Sequence, residues 1–212
     1  MTIEKRCTAS DTVLTTARLR LRRFRREDVD AVFAIIGDEV AMRYYPKKFV
    51  FRDAAEWIER NLRRYSEHGH GLYAVTLGGS AEVIGDCGLI AQVIEGEPQL
   101  EVGYHFRRDK WGNGYATEAA RACMQMAFRE FGAEKVISLI RPENVPSRRV
   151  AERNGMKVER EVMHAKLPHM VYAIRREEFE AISPGAIEGL TSFSHPVAKT
   201  GRQDGASARS QW

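Results

Sequence analysis

Lys110-Trp111-Gly112-Asn113-Gly114-Tyr115-Ala116-Thr117-Glu118-Ala119 is a glycine-punctuated turn that runs straight into an amphipathic helix, and it follows a short alternating run from Leu100 to Phe106. Strand, turn and helix in that order build an anion cradle. Glycines two apart bend the backbone so that successive N–H groups point one way, and the helix starting near Tyr115 adds its unpaired donors and positive dipole end. A pyrophosphate fits there. A dinucleotide-binding turn would need Gly or Ala where Thr117 stands and a strand abutting the glycines, so that reading fails. No Gly-Lys-Ser/Thr follows either, which removes the phosphate loop of nucleotide triphosphatases.

Downstream of the cradle, Ala116, Ala119, Ala120, Cys123, Met126, Ala127 and Phe131 share one helix side up to Gly132. Lys135 to Arg141 is β-rich, and Pro142-Glu-Asn144-Val-Pro146 leads into a short helix that ends at Asn154-Gly155, with glycine in the place after the cap. Strands over Lys157 to Met163 and Met170 to Arg175 follow. Upstream, Arg18-Leu-Arg-Leu-Arg22 alternates at period two and predicts a first strand. Val29, Val32, Phe33 and Ile36 predict a helix, and Ala55, Ile58, Leu62 and Tyr65 a second one ending before Gly69. Leu72 to Leu77 and Val83 to Ile90, separated by Gly78-Gly79-Ser80, predict a hairpin. Hairpins combined with two crossovers make an α+β fold with a mixed, mostly antiparallel sheet.

A chain of 212 residues holds one domain by default, and 43% hydrophobic with 29% charged residues is the composition of a soluble globular protein. The net charge of +4 favours an acidic ligand, but the basic residues are not interleaved with stacking aromatics, so no nucleic-acid partner is expected. Cys7, Cys87 and Cys123 are odd in number and far apart, which fits reduced thiols in a cytoplasmic protein. The start carries no apolar signal region, and no run approaches the roughly 18 apolar residues of a membrane span. The six histidines, His68, His70, His105, His164, His169 and His195, show no metal-ligand spacing with Cys or acid, so no metal is expected. Residues 1–12 read as a flexible N-terminus, 13–180 as the domain, and 181–212, rich in Gly, Ser, Thr and Pro, as a disordered tail.

Four blocks carry a family resemblance: Leu100-Glu-Val-Gly-Tyr104, Trp111-Gly-Asn-Gly-Tyr-Ala-Thr-Glu-Ala119, Arg141-Pro-Glu-Asn-Val-Pro-Ser147 and Glu152-Arg-Asn-Gly-Met156. Together with Thr16-Ala-Arg-Leu-Arg-Leu-Arg-Arg-Phe24 they resemble the GNAT superfamily of acyl-CoA-dependent N-acyltransferases, and within it the RimJ/RimL branch of ribosomal-protein N-terminal acetyltransferases and their small-molecule relatives. The resemblance covers residues 15–178. It implies helices on both faces of a twisted sheet whose central strands splay apart, and acetyl-CoA as co-substrate. The implied cofactor site comprises Tyr104, His105 and Phe106, whose backbone groups pair with the pantetheine amides, the cradle Trp111, Gly112, Asn113, Gly114, Tyr115 and Ala116, and then Asn144 and Ser147. Position 109 departs from the family's Arg or Gln; Asp109 is expected to turn to solvent or to pair with Arg107 or Lys110.

By the same resemblance Glu101 stands where the family's strand often carries its general base, against the alternative of a solvated strand position. The tyrosine that protonates the leaving thiolate in many relatives is replaced by Ala151, which leaves Ser147, a water or no acid for that step. Asn144 reads equally as a helix N-cap. Tyr44, Tyr45, Trp57 and the segment from Met163 to His169 are expected to rim the acceptor groove. The implied activity is direct acetyl transfer from acetyl-CoA to an amine, either a peptide N-terminus or a small molecule; a homodimer is compatible with it. The competing reading is a catalytically idle module of this fold that binds acyl-CoA or a protein.

Overall fold

The computed structural model describes residues 12–183. The N-terminal stretch with Cys7, and the tail from residue 184 with His195, lie outside the described residues. Eight strands and five α-helices follow in the order β1 (Thr12–Thr15), β2 (Leu19–Arg22), α1 (Val29–Ile36), α2 (Phe51–His68), β3 (Leu72–Leu77), β4 (Val83–Ile94), β5 (Glu97–Phe106), α3 (Tyr115–Arg129), β6 (Lys135–Ile140), α4 (Val145–Arg153), β7 (Lys157–His164), β8 (Leu167–Arg175) and α5 (Arg176–Ile182). The sheet order is β1-β2-β3-β4-β5-β6-β8-β7. Every neighbouring pair is antiparallel except β5 and β6. The expected mixed, mostly antiparallel α+β sheet is therefore the fold.

Two elements were not legible in the sequence. β1 is four residues long and pairs only with β2, and α5 was not read as a helix, its last two residues falling in the expected tail. Ala181 and Ile182 thus belong to a helix, anchored by Phe179, which is buried against Phe128 of α3.

The sheet is covered on both faces, as the alternation in β3 requires. Tyr73 and Val75 face one core with Leu19, Leu21, Leu89, Val102 and the small-residue side of α3, where Ala119, Ala120, Cys123 and Ala127 let the helix lie close. Leu72 and Ala74 face a second core with Val32, Ile35, Ala54, Trp57 and Ile58 from α1 and α2. Both Cys87 and Cys123 are fully buried free thiols, as expected of core residues.

β3 and β4 approach so closely that a Cβ on Gly88 would sit 2.0 Å from the Gly71 carbonyl oxygen, so only glycine fits there. Near the first strand, Arg22 and Asp28 form a buried two-point ion pair at 2.7 and 2.8 Å, and Asp28 also accepts the Arg25 N–H at 2.8 Å. This knot fixes the entry into α1.

The feature that positions the site is the seam between β5 and β6. Their parallel pairing has a single register point, Glu101 opposite Ile137. Beyond it the strands part: the hydroxyl of Ser138 donates to the Val102 carbonyl at 3.1 Å, and the Leu139 N–H donates to the Glu101 carboxylate at 3.3 Å. Side chains close the last step of the ladder, and past them the sheet is open.

Candidate active site

A cavity of about 870 Å³ runs from the N-terminus of α3, through the gap between β5 and β6, to a chamber under α2. Its near end is the glycine turn. Gly112 and Gly114 both have φ of +79°, a left-handed conformation in which a side chain is strained, and Gly114 is the residue from which α3 starts. Backbone N–H groups from Gly112 to Thr117 meet no acceptor among the described residues, as the start of a helix requires. The cradle therefore sits one residue later than expected. The Trp111 N–H is taken by the Arg108 carbonyl, and its indole N–H donates to the Phe106 carbonyl at 2.8 Å, so Trp111 braces the turn rather than offering an amide.

Arg18 reaches the same place from the start of β2. Its guanidinium donates to the Asn113 carbonyl at 2.9 Å, lies over the Tyr115 ring and pairs with Glu118 at 2.6 Å, while Thr16 donates to Glu118 at 2.6 Å. The sequence showed Arg18 only as one of a basic run; its partner lies 100 residues away, beyond any local signal. Asp109 is held by Arg107 at 2.9 Å and Lys110 at 3.3 Å, as expected, and leaves the donors of the turn undisturbed.

In the gap, the phase of the ladder decides which backbone groups are free. Arg107 N–H donates to the Ile84 carbonyl, so residues 105, 103 and 101 exchange hydrogen bonds with β4, while 102, 104 and 106 turn theirs toward β6. The free groups are thus the N–H and carbonyl of Tyr104 and the N–H of Phe106, since Trp111 occupies the Phe106 carbonyl. The backbone of His105, expected to face the gap, is turned into the β4 ladder; this residue contributes its ring instead. On the far wall Asn144 caps α4, its Oδ1 accepting the Ser147 N–H at 3.2 Å, and both residues line the cavity. The Tyr104 hydroxyl donates to the Ser147 carbonyl at 3.0 Å and so ties α4 to β5. Ala151 is buried and brings no hydroxyl.

Glu101 lies at the apex of the gap. One carboxylate oxygen accepts from Gln92 at 2.8 Å and the other from the Leu139 N–H at 3.3 Å. Burial raises its pKa above the ordinary carboxylate range, with the hydrogen bonds from Gln92 and Leu139 opposing the rise. It is not a solvated strand position.

Four residues along β5, on the same strand face, stands a group that the sequence reading did not assemble. Asp86 is wholly buried on β4, where it accepts the Trp57 indole N–H at 3.0 Å and meets His105 Nδ1 at 2.7 Å. His105 Nε2 lies 2.5 Å from the Tyr45 hydroxyl. A carboxylate only accepts, so Nδ1 carries a proton toward Asp86, while Nε2 shares a hydrogen bond with the Tyr45 hydroxyl. Tyr45 lines the cavity, and burial together with the charges of Glu101 and Asp86 raises its pKa well above the usual phenol value. Three elements, α2, β4 and β5, and the connection between α1 and α2 contribute one member each, which is why spacing in the chain gave no sign of it. Gly103, between Glu101 and His105 on that face, leaves the chamber floor open.

Of the residues expected at the acceptor groove, Tyr44, Tyr45, Trp57, Leu167 and His169 line the cavity, and Met163 and His164 are not among its lining. Among the described residues no helix is long and apolar enough to cross a membrane.

A family model described as an acetyltransferase (GNAT) domain matches residues 18–157. The chain is 38% identical over 162 residues to the uncharacterised protein YkkB of Bacillus subtilis, covering 76% of this chain and 94% of that one. Among solved structures, a GNAT-family acetyltransferase from Bacillus anthracis superposes with a TM-score of 0.67 at 29% identity, over 77% of this chain and 98% of the other. Mycobacterium smegmatis RimJ, solved in complex with CoA-disulfide, matches with a TM-score of 0.58 at 22% identity over 76% and 83%, a likeness of fold.

Proposed function

This chain belongs to the GNAT acetyltransferase family, and we propose that it transfers an acetyl group from acetyl-CoA directly to an amine, as a cytoplasmic member of the RimJ/RimL branch. The observation that carries this reading is the single pairing point between β5 and β6, from which an open gap leads back to the unpaired N–H groups of α3. RimJ of the same fold, solved with a coenzyme A derivative, supports the choice of donor.

In this reading the amides of Gly112 to Thr117 hold the diphosphate, with the α3 dipole adding to them. The pantetheine arm takes the place of the missing strand between β5 and β6, pairing with Tyr104 and with the Nδ2 of Asn144. The Phe106 or Tyr104 N–H meets the thioester oxygen, where a fixed donor is worth roughly 2.7–4 kcal/mol as negative charge builds.

Glu101 takes a proton from the incoming ammonium, and its raised pKa narrows the gap between carboxylate and amine. Tyr45, held by its hydrogen bond to His105, contacts the same amine and orients its lone pair toward the carbonyl carbon. The neutral amine attacks, the tetrahedral intermediate collapses, and the C–S bond breaks. The departing thiolate is a tolerable leaving group because a free thiol has a pKa of about 8.5, and Ser147 or water relays to it the second proton, which the nitrogen loses as the amide forms.

Calorimetric titration with coenzyme A, followed by thiol release from acetyl-CoA over a panel of amines, tests the proposal. Binding with turnover that falls in Glu101→Gln supports the transferase. Binding with no thiol release for any amine supports the idle module instead, and no affinity for coenzyme A rejects both.

A further inference from the structure

The chamber under α2 is charged in a way that narrows the acceptor. Trp57, Arg60 and Arg64 occupy one stripe of α2, spaced three and four residues apart, and all three line the cavity. Arg60 lies over the Trp57 ring at 5.4 Å and has no carboxylate partner among the described residues. Arg64 makes only a 3.4 Å contact to Asn61 Oδ1. Both are half withdrawn from water, and burial lowers the pKa of each.

Leaving two guanidiniums one turn apart without a counterion is unfavourable, and the same helix shows that acids are at hand: Glu59 pairs with Arg26 at 2.7 Å and Glu56 with Arg52 at 3.4 Å. The two arginines of α2 that face the cavity have no carboxylate partner among the described residues. Across the chamber stands Glu101, close enough that it and Arg64 shift each other's pKa, yet outside ion-pair distance. The wall near β6 adds Arg141, which pairs with Glu143 at 3.1 Å while its Nε is buried without a hydrogen-bond partner. Glu101 and the two α2 arginines thus face each other across an open space.

We propose that the acceptor is a small amine carrying its own anionic group, a carboxylate or a phosphate. Its ammonium points to Glu101 and Tyr45, and its anion lies between Arg60 and Arg64. This rests on the transferase reading and deepens it. A polyamine or an aminoglycoside would bring a second ammonium against those guanidiniums, and an extended chain would compete for a cavity of about 870 Å³ that also takes the cofactor arm.

The test is thiol release from acetyl-CoA by wild type, Arg60→Gln, Arg64→Gln and the double variant. Acceptors are matched sets: amino acids, the corresponding amino acid amides, phosphoethanolamine against ethanolamine, spermidine and kanamycin. The expected result is a kcat/KM at least about tenfold higher for the anionic member of a pair, arising in KM, with the preference falling toward one in the double variant and partly restored by Arg64→Lys. The amino acid and phosphate arms decide which anion is taken.

Preference for amides, spermidine or kanamycin, or for long peptides alone, overturns the inference while leaving the transferase standing. Where no acceptor turns over, Trp57 fluorescence of the coenzyme A complex is titrated with the same compounds. Binding of anionic amines alone supports the acceptor class and rejects the transferase; binding of none of them overturns the inference.

Discussion

Glu101→Gln separates a catalytic base from a merely structural carboxylate, because the substitution keeps the shape and removes only the proton affinity. The glutamine oxygen can still accept the Leu139 N–H, and its amide nitrogen can donate to the oxygen of a flipped Gln92, so the closure at the apex survives. A positioned general base contributes typically 10²–10⁴-fold. Part of that is simple ionisation: an α-amine of pKa about 8 is about one-tenth neutral at pH 7, so finding it already deprotonated costs roughly 1.4 kcal/mol. Wild type avoids this by receiving the ammonium and moving the proton to Glu101. The variant must wait for the neutral amine.

The ratio of wild-type to variant kcat/KM should therefore shrink by about tenfold between pH 7 and pH 9 for an acceptor of that pKa. The acid limb of the wild-type profile carries the opposite signature. Glu101 works only when ionised, and burial raises its pKa, so activity should begin to fall at a higher pH than an ordinary carboxylate would give. For stability the sign is equally fixed. A carboxyl whose folded-state pKa lies above its unfolded value favours the fold at low pH and loses that contribution as pH rises through the raised value. Glu101→Gln should then melt no lower than wild type at pH 7. Initial rates from pH 5.5 to 9 and thermal unfolding check both statements. A variant as active as wild type at pH 7, or one reduced by the same factor at every pH, refutes the assignment of Glu101 as base.

Asp86→Asn leaves one acceptor oxygen for two donors, the Trp57 indole and His105 Nδ1, and removes the charge behind the Tyr45–His105 contact; it should lower kcat by about 10²-fold or more while coenzyme A still binds, read by steady-state kinetics beside calorimetry. Gly112→Ala forces a side chain to φ of +79° in open space; strain of about 1–2 kcal/mol should appear in urea unfolding, with weakened coenzyme A affinity as the larger effect. Arg22→Ala strands the buried Asp28 carboxylate and should cost about 3–5 kcal/mol in the same assay, far more than Arg26→Ala, whose pair with Glu59 lies in solvent.

What the sequence made legible was whatever depends on local order. The cradle, the N-cap at Asn144 and the alternation of β5 follow from neighbours within a few residues, and the block spacings tied them to one fold. Arg18 on Glu118 and the Trp57–Asp86–His105–Tyr45 chain depend on pairing across the sheet and between layers, where register sets the contact. An aspartate beside Gly85 and Cys87 in the apolar run from Val83 to Ala91 was the one available sign that something paired with it. β1 and α5 escaped for a different reason. Four residues with one buried side chain in β1, and seven with one in α5, carry too little periodicity to stand out from loop and tail.

The break in the sheet also explains why base and orienting phenol share one face. Residues two apart on a strand point the same way, so Glu101 at the last paired position fixes the side on which Gly103 and His105 stand. The odd positions turn their backbone to β4 and their side chains to the chamber; the even positions turn their backbone to the gap. One stretch of β5 therefore faces the proposed donor through its amides and the proposed acceptor through its side chains. A one-residue slip of β5 against β4 would exchange those roles and abolish both, and the unbroken ten-position register from Gly85–Phe106 to Ile94–Glu97 holds it in place.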